Sequence, residues 1–466
     1  MDYLVRLERL VIEGIKNVEY GELVFDELSQ VKRNECNDLH SVLGIYGQNG
    51  SGKTTALETA QILKRVLSGE KLPEDIGQYI SNESHRAKIE CTFYIKSQSF
   101  TQLVTYIFVI AKPREKEGNA YDIIDEKMLS KEYSYSEKKW LSQKTLFEVK
   151  NNEIVFKKLF NKFSYENYVG LKVTKEIEVG SSFFFHTRNL AHIVSDLKEK
   201  NEEKLIEVLK ILNRYAQTGL IIIQNDLMGS INLNTRMPVN VYLSDHSSLT
   251  LGNIAINLLE PSELKKDIFT DFEKVIIQID TVLNAIVPTL NIEIMNKKEQ
   301  LMKDGSLGYG FEVVSKRNGK YIPLRYESEG IKRIISVTSS LIAMYNHSSI
   351  CLMIDEFDSG IFEYLLGELI EIIYESAKGQ FIFTSHNLRA LEKLPYKSII
   401  LTTTNPQNRY IHFHGVKSNN NVRDFYYTSI MLGGQKEILY QETKNYKIKR
   451  AFRIEKVCKR SRERKQ

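Results

Sequence analysis

No apolar run in these 466 residues reaches the roughly 18 that a membrane-spanning helix needs. The opening residues, Met1 to Arg6, lack a basic stretch followed by an apolar core, so nothing directs export and a cytoplasmic location is expected. Cysteine is scarce. Cys36, Cys91, Cys351 and Cys458 stand far apart and form no Cys-x-x-Cys pair, which excludes a zinc ribbon or dithiol motif and leaves reduced, structural thiols as the expectation. Heptads are not sustained and no fixed-period repeat is present, which excludes a long coiled coil and a solenoid.

What remains is the composition of an ordinary globular protein, 42% apolar and 26% charged, long enough for two or three domain-sized units. The formal charge of +5 is unevenly spread. Residues 444–466 hold eleven Lys and Arg against two Glu, a local charge of +9, so the remainder carries −4. Such a segment fits nucleic-acid phosphates, and equally a solvated, solubilising tail.

An apolar strand is expected at 41–46, followed by Gly47-Gln48-Asn49-Gly50-Ser51-Gly52-Lys53-Thr54 and a helix over 54–67. This is Gly-x-x-x-x-Gly-Lys-Ser/Thr in strand-loop-helix context. The glycines let backbone N–H groups curl around phosphates, Lys53 adds a point charge, and the Thr54 hydroxyl is placed for Mg²⁺, so ATP is the expected ligand. A second apolar strand, 349–354, runs into Asp355-Glu356. Asp355 would hold Mg²⁺ and Glu356 would polarise the attacking water as general base. A third, 380–385, ends at His386, a candidate γ-phosphate sensor. Ser328-Glu329-Gly330 opens an apolar helix over 331–345, as a phosphate-binding helix start or as a plain Ser cap.

Between these motifs, alternation predicts strands at 4–12, 22–25, 90–95 and 103–111. Apolar residues at helical spacing predict helices near 194–216 and from Pro261 to Pro288. Asn318-Gly319 predicts a hairpin turn.

Phosphate loop, Ser-x-Gly helix start, Asp-Glu strand end and His strand end follow one another in the order of the ABC-type ATPases, which the sequence resembles. Ile12-Glu13-Gly14-Ile15-Lys16-Asn17 and the Ser328-Glu329-Gly330-Ile331-Lys332-Arg333 signature resemble the RecF, SMC-like and OLD branch, with Ile15 where the branch has Phe. The signature departs from the transporters' Leu-Ser-Gly-Gly-Gln, and the 275 residues from Lys53 to Ser328 exceed a transporter's gap. Within the branch the chain is similar to stand-alone ATPases of bacterial anti-phage systems, of the AbiL, Septu, PARIS and retron-associated kinds.

The resemblance implies an α/β fold, an ABC-type P-loop ATPase head of mixed sheet and flanking helices with a mostly helical insertion. The expected division is an N-terminal lobe at 1–135, the insertion at 136–289, a C-terminal lobe at 290–440 and a basic tail at 441–466. It implies ATP on Gly47 to Thr54 with Thr55 and Asn17, Mg²⁺ on Thr54 and Asp355, and catalysis by Glu356 and His386. Ser328, Glu329, Gly330 and Lys332 would close a second chain's site in a homodimer or higher oligomer, with Asp358-Ser359-Gly360 as the loop touching the partner. Gln98 and Gln102 are candidates for the branch's Q-loop glutamine. No effector site is visible: 80 residues follow His386, few for an appended Toprim nuclease, and His412 and His414 read as alternate positions on a strand. A sensor acting with a separate nuclease or toxin is therefore expected, or alternatively a RecF-like DNA-repair ATPase.

Overall fold

The computed structural model describes residues 3–25, 41–81, 83–112, 121–155, 165–199, 202–225, 229, 231, 233–245, 248–416 and 421–453. Cys36, Cys458 and residues 454–466 of the basic tail lie outside them. Among the described residues no helix is long and apolar enough to cross a membrane.

The centre is a six-stranded sheet in the order Leu220–Ile223, Cys351–Ile354, Gln380–Thr384, Ser41–Tyr46, Ile399–Thr402, Tyr410–His412, parallel except for the last strand. Its inner strands are short continuous apolar runs because both faces are covered. Alternate residues feed two different cores. Leu43, Ile45, Cys351, Met353 and Ile382 pack with the helix Lys53–Ser68. Val42, Leu352, Ile354, Phe381 and Phe383 pack with the helices Lys266–Ile286, Glu329–Asn346 and Glu363–Ser376. Fully burying one such side chain contributes roughly 1.5–3 kcal/mol, so this two-faced sheet carries much of the fold's hydrophobic stabilisation.

Beside it lies an antiparallel sheet ordered Val18–Val24, Leu4–Ile15, Arg86–Lys96, Thr101–Ala111, Asp122–Ser134, Lys144–Lys150, Glu153–Ile154, with Lys139–Trp140 on Asp122–Ser134. Its strand Leu4–Ile15 bulges between Leu7 and Arg9. There the Gln380 side chain docks it to the central sheet, accepting from Leu7 N–H and donating to Leu7 C=O, both at 2.8 Å. The hairpin Leu4–Ile15/Val18–Val24 turns at Lys16 and Asn17, so its two strands run closer together in sequence than the expected 4–12 and 22–25. Strands Leu307–Arg317 and Lys320–Pro323 meet at Asn318-Gly319, both with positive φ, as that pair predicts.

Segment 136–289, expected as a mostly helical insertion, supplies strands as well as helices. Its helices Tyr165–Ile177, Thr187–Glu199, Glu203–Arg214 and Lys266–Ile286 are accompanied by the hairpin Arg236–Asp245/Ser248–Asn257. The expected helix at 194–216 is divided between Thr187–Glu199 and Glu203–Arg214. Leu220–Ile223 is itself a strand of the central sheet. A buried polar network fastens the first helices to the antiparallel sheet. Lys175 and Asp122 form an ion pair at 2.7 Å with both side chains 3% exposed, and Asp122 also accepts from Gly180 N–H. Further along the same strand, buried Glu126 accepts from Tyr106, Ser182 and Phe183 N–H, and burial raises its pKa.

Removing one partner of a buried pair strands the other charge, at a cost of about 3–5 kcal/mol. Lys175→Met is expected to lower the urea midpoint strongly, and the double substitution Asp122→Asn/Lys175→Met to regain most of the loss, measured by far-UV circular dichroism.

Candidate nucleotide-binding site

Loop 47–52 leaves the central strand Ser41–Tyr46 and enters the helix Lys53–Ser68 through Gly50 and Gly52, at φ 74° and 95°, left-handed values that glycine adopts at little cost. Gly47 is pressed by the neighbouring strand: a Cβ on it would lie 1.7 Å from Thr402 Oγ1. Ser51 Oγ lies 2.5 Å from the same hydroxyl and donates to Gln48 C=O at 2.6 Å. Lys53 is buried in the loop, its Nζ donating to the carbonyls of Gly47 (2.9 Å) and Gln48 (3.0 Å). Burial lowers its pKa, and the carboxylates of Asp355, Glu356 and Asp358 act against that shift.

Asn17 stands at the turn of the first hairpin, where its side chain donates to Gly50 C=O and accepts from Thr55 Oγ1 at 3.4 Å. The turn is held by Arg409, which donates to the carbonyls of Asn17 and Thr403, and the loop by Tyr410, whose hydroxyl donates to Gly52 C=O at 2.7 Å. Lys16, Asn17, Asn49, Gly50, Gly52, Lys53, Thr54, Thr55, Glu58, Glu356 and His386 together line a cavity of 360 Å³, within the roughly 300–1,000 Å³ of small-molecule sites.

Asp355 and Glu356 follow the strand Cys351–Ile354 directly. Thr54 Oγ1 lies 3.1 and 3.3 Å from the Asp355 carboxylate oxygens, so hydroxyl and carboxylate form an oxygen donor set suited to a hard cation such as Mg²⁺. Buried Thr384 donates to Asp355 Oδ1 (2.6 Å) and accepts from Glu356 N–H (2.7 Å). Buried Arg333 donates to the carbonyls of Asp355 (2.9 Å) and Glu356 (2.6 Å). These bonds hold Glu356 at φ 46°, a left-handed conformation that costs a non-glycine residue about 1–2 kcal/mol. The Glu356 carboxylate accepts from Asn225 Nδ2 at 2.5 Å, and the residue lines the cavity.

His386 also lines the cavity, and its backbone N–H donates to Asp358 Oδ2 at 3.2 Å. Burial and then the nearby Lys53 charge lower its pKa, which favours the neutral imidazole at neutral pH. Ser328 caps the helix Glu329–Asn346 through Ile331 N–H at 3.3 Å and, like Glu329, is exposed. Neither they nor Gly330 line the cavity. Gly330 packs on the loop after Glu356, where a Cβ would sit 2.0 Å from Gly360 C=O. Lys332 differs from its neighbours: it is buried and donates to Asn234 of its own chain.

Gln98 and Gln102 do not reach the site. Gln98 lies in the turn before Thr101–Ala111, and Gln102 is buried in that strand, accepting from Ser130. Gln224 and Asn225 instead follow Leu220–Ile223, whose Ile223 carbonyl accepts from Asp355 N–H at 2.9 Å. Asn225, Thr402, Arg409 and Tyr410 carry no motif, while Arg333 within the Ser328–Arg333 signature and Thr384 in the strand before His386 carry no expected role in the site. The one signal in the sequence for the first of these is a four-residue apolar run, Leu-Ile-Ile-Ile, ending in polar residues.

A hydrogen bond to a charged group contributes about 1.5–3 kcal/mol, which corresponds to roughly 10–100-fold in rate where it orients a reacting group. Asn225→Ala is expected to lower kcat for ATP hydrolysis by that factor while leaving the dissociation constant of a non-hydrolysable ATP analogue within about twofold. Steady-state kinetics and calorimetry separate the two.

A family model described as an AAA ATPase domain matches residues 7–389. No curated protein matches. Solved structures with similar chains include an SMC head bound to the C-terminal winged-helix domain of ScpA (13% identity over 88% of this chain and 98% of that one, TM-score 0.41). Others are the SMC head domain from Thermotoga maritima (14%, 88% and 99%, 0.34) and the recombination mediator RecF with ATPrS (14%, 87% and 98%, 0.35). With the family model spanning most of its length and the phosphate loop and acidic strand end meeting at one cavity, the chain belongs to the AAA ATPase domain family and is an ATPase.

Proposed function

We propose that this ATPase works as a head-to-tail homodimer that encloses two nucleotides and serves as the sensor and regulator of a bacterial anti-phage system with a separate effector. The observation that carries the dimer is the separation of two phosphate-binding ends. Loop 47–54 lines the cavity, while Ser328 and Glu329 stand exposed, and Gly330 half-buried, at a helix N-terminus outside it. A second copy brings that helix end to the γ-phosphate. Lys53 and the loop amides bind the phosphates and Glu356 accepts the proton of the attacking water; Thr54 and Asp355 would hold Mg²⁺, which would supply positive charge against the developing negative charge. His386 in its neutral form accepts or donates a hydrogen bond near the same phosphate. Lys332, bonded to Asn234, steadies the signature helix from within its own chain.

The regulatory role rests on the resemblance of the signature and Asp-Glu strand end to defence ATPases. A RecF-like role in DNA repair uses the same closed dimer and is favoured by the charge of 444–466. Phage plating on cells that carry the gene with its genomic neighbours discriminates the two: a defence ATPase restricts plating and loses restriction on Lys53→Ala, whereas a repair ATPase leaves plating unchanged and sensitises cells to DNA damage when deleted.

Glu356→Gln keeps the shape of the site and removes the base. In light scattering it is expected to be a dimer with saturating ATP and Mg²⁺, and a monomer with ADP. Persistence as a monomer with ATP would sink the closed-dimer reading.

A further inference from the structure

Past the helix Val422–Leu432 the chain turns at Gly433 and Gly434 and lies along the loop that follows Ile399–Thr402. Glu437 accepts from Asn405 (3.1 Å) and Asn408 (2.9 Å), Ile438 C=O accepts from Thr404 N–H (2.8 Å), and Leu439 is buried in the core. This path delivers Gln441 to the phosphate loop, where its N–H donates to Gln48 Oε1 at 3.0 Å.

Three residues on, at most about 10 Å along the chain, the basic segment begins. Residues 445–453 are helical and every one is exposed. At 100° per residue, Lys447, Lys449, Arg450 and Arg453 share one side of this helix, with Ile448 and Phe452 opposite. Among the described residues, none of these four cations joins an ion pair with a carboxylate.

We propose that this segment binds double-stranded DNA at the rim of the nucleotide site, and that the hydrogen bond between Gln441 and Gln48 couples DNA binding to nucleotide occupancy. The inference rests on loop 47–54 being the ATP site and adds the ligand that the site answers to. Four cations spread over roughly 9 Å of helix match a duplex, which presents one phosphate per about 1.7 Å of axis. An anionic bilayer selects a helix with a broad apolar face, and two large apolar side chains are too few for that. Coupling follows from the loop's own bonds. The Gln48 carbonyl accepts from Lys53 Nζ and from Ser51, so a phosphate that draws the Lys53 donors to itself alters the backbone that carries the Gln48 side chain. Linkage then requires DNA to change nucleotide affinity by the same factor as nucleotide changes DNA affinity.

The test is fluorescence anisotropy of a labelled duplex with the full-length protein over a salt series, with and without a non-hydrolysable ATP analogue. Charge reversal of Lys447, Lys449, Arg450 and Arg453 to Glu should reduce the slope of log K against log salt by about 0.9 for each phosphate no longer neutralised. Gln441→Pro, which deletes the donated N–H, should retain duplex binding and lose its response to the analogue. Unchanged affinity and slope after charge reversal, or binding to phosphatidylserine vesicles in preference to duplex, overturns the proposed ligand. A Gln441→Pro chain whose DNA affinity still shifts by the wild-type factor overturns the coupling. Calorimetry of the analogue alone comes first: if the wild-type chain does not bind it, the reading of the ATP site fails and takes this inference with it.

Discussion

Asp355 and Glu356 together bind four separate parts of the chain at one corner. Thr54 reaches it from the phosphate-loop helix, Thr384 from the adjacent strand and Arg333 from the signature helix, while Ile223 takes its N–H and Asn225 takes the carboxylate of Glu356. The corner exists because Cys351–Ile354 is buried on both faces and cannot tilt. A strand fixed in this way delivers Asp355 and Glu356 at a defined height, and the neighbouring strands deliver the loop and Thr384 at the same edge. The left-handed turn at Glu356 is the strain this convergence sustains.

Because the corner and the loop beside it draw on residues from 17 to 410, the nucleotide site and the fold are hard to separate. Tyr410 holds the phosphate loop from the last strand of the sheet, Arg409 just before that strand holds the turn at Asn17, and Asn17 in turn holds the loop from the first hairpin. Arg333 gives the signature helix a direct bond to both carbonyls of the acidic pair. Little more than one helix turn and one guanidinium therefore separates the exposed Ser328 end from Glu356.

The parts legible in the sequence are those whose chemistry is local. A glycine loop between an apolar strand and a helix, and apolar runs ending in Asp-Glu or His, state their place in the fold in a few residues. Leu220–Ile223 does not, because a four-residue apolar run continues the spacing of the helix before it and only pairing with Cys351–Ile354 marks it as a strand. That is also why Asn225 gives no signal and why Gln98 and Gln102 draw attention in place of its region. Lys332 sits in the signature by sequence but faces Asn234, and the helical phase that turns it inward is set by packing against the hairpin Arg236–Asp245/Ser248–Asn257, which no motif announces.

A complete site, on this view, takes its phosphate loop from one chain and its Ser328 helix end from another. Mixing two inactive variants, Lys53→Ala and Ser328→Arg, puts that composition to the proof, since a mixed dimer holds one site with both defects and one with neither. ATP hydrolysis, absent in each variant alone, should return on mixing, with a rate that rises with the fraction of mixed dimer. Hydrolysis by Ser328→Arg alone at the wild-type rate, or none in the mixture while mixed dimers form, would mean that each chain completes its own site.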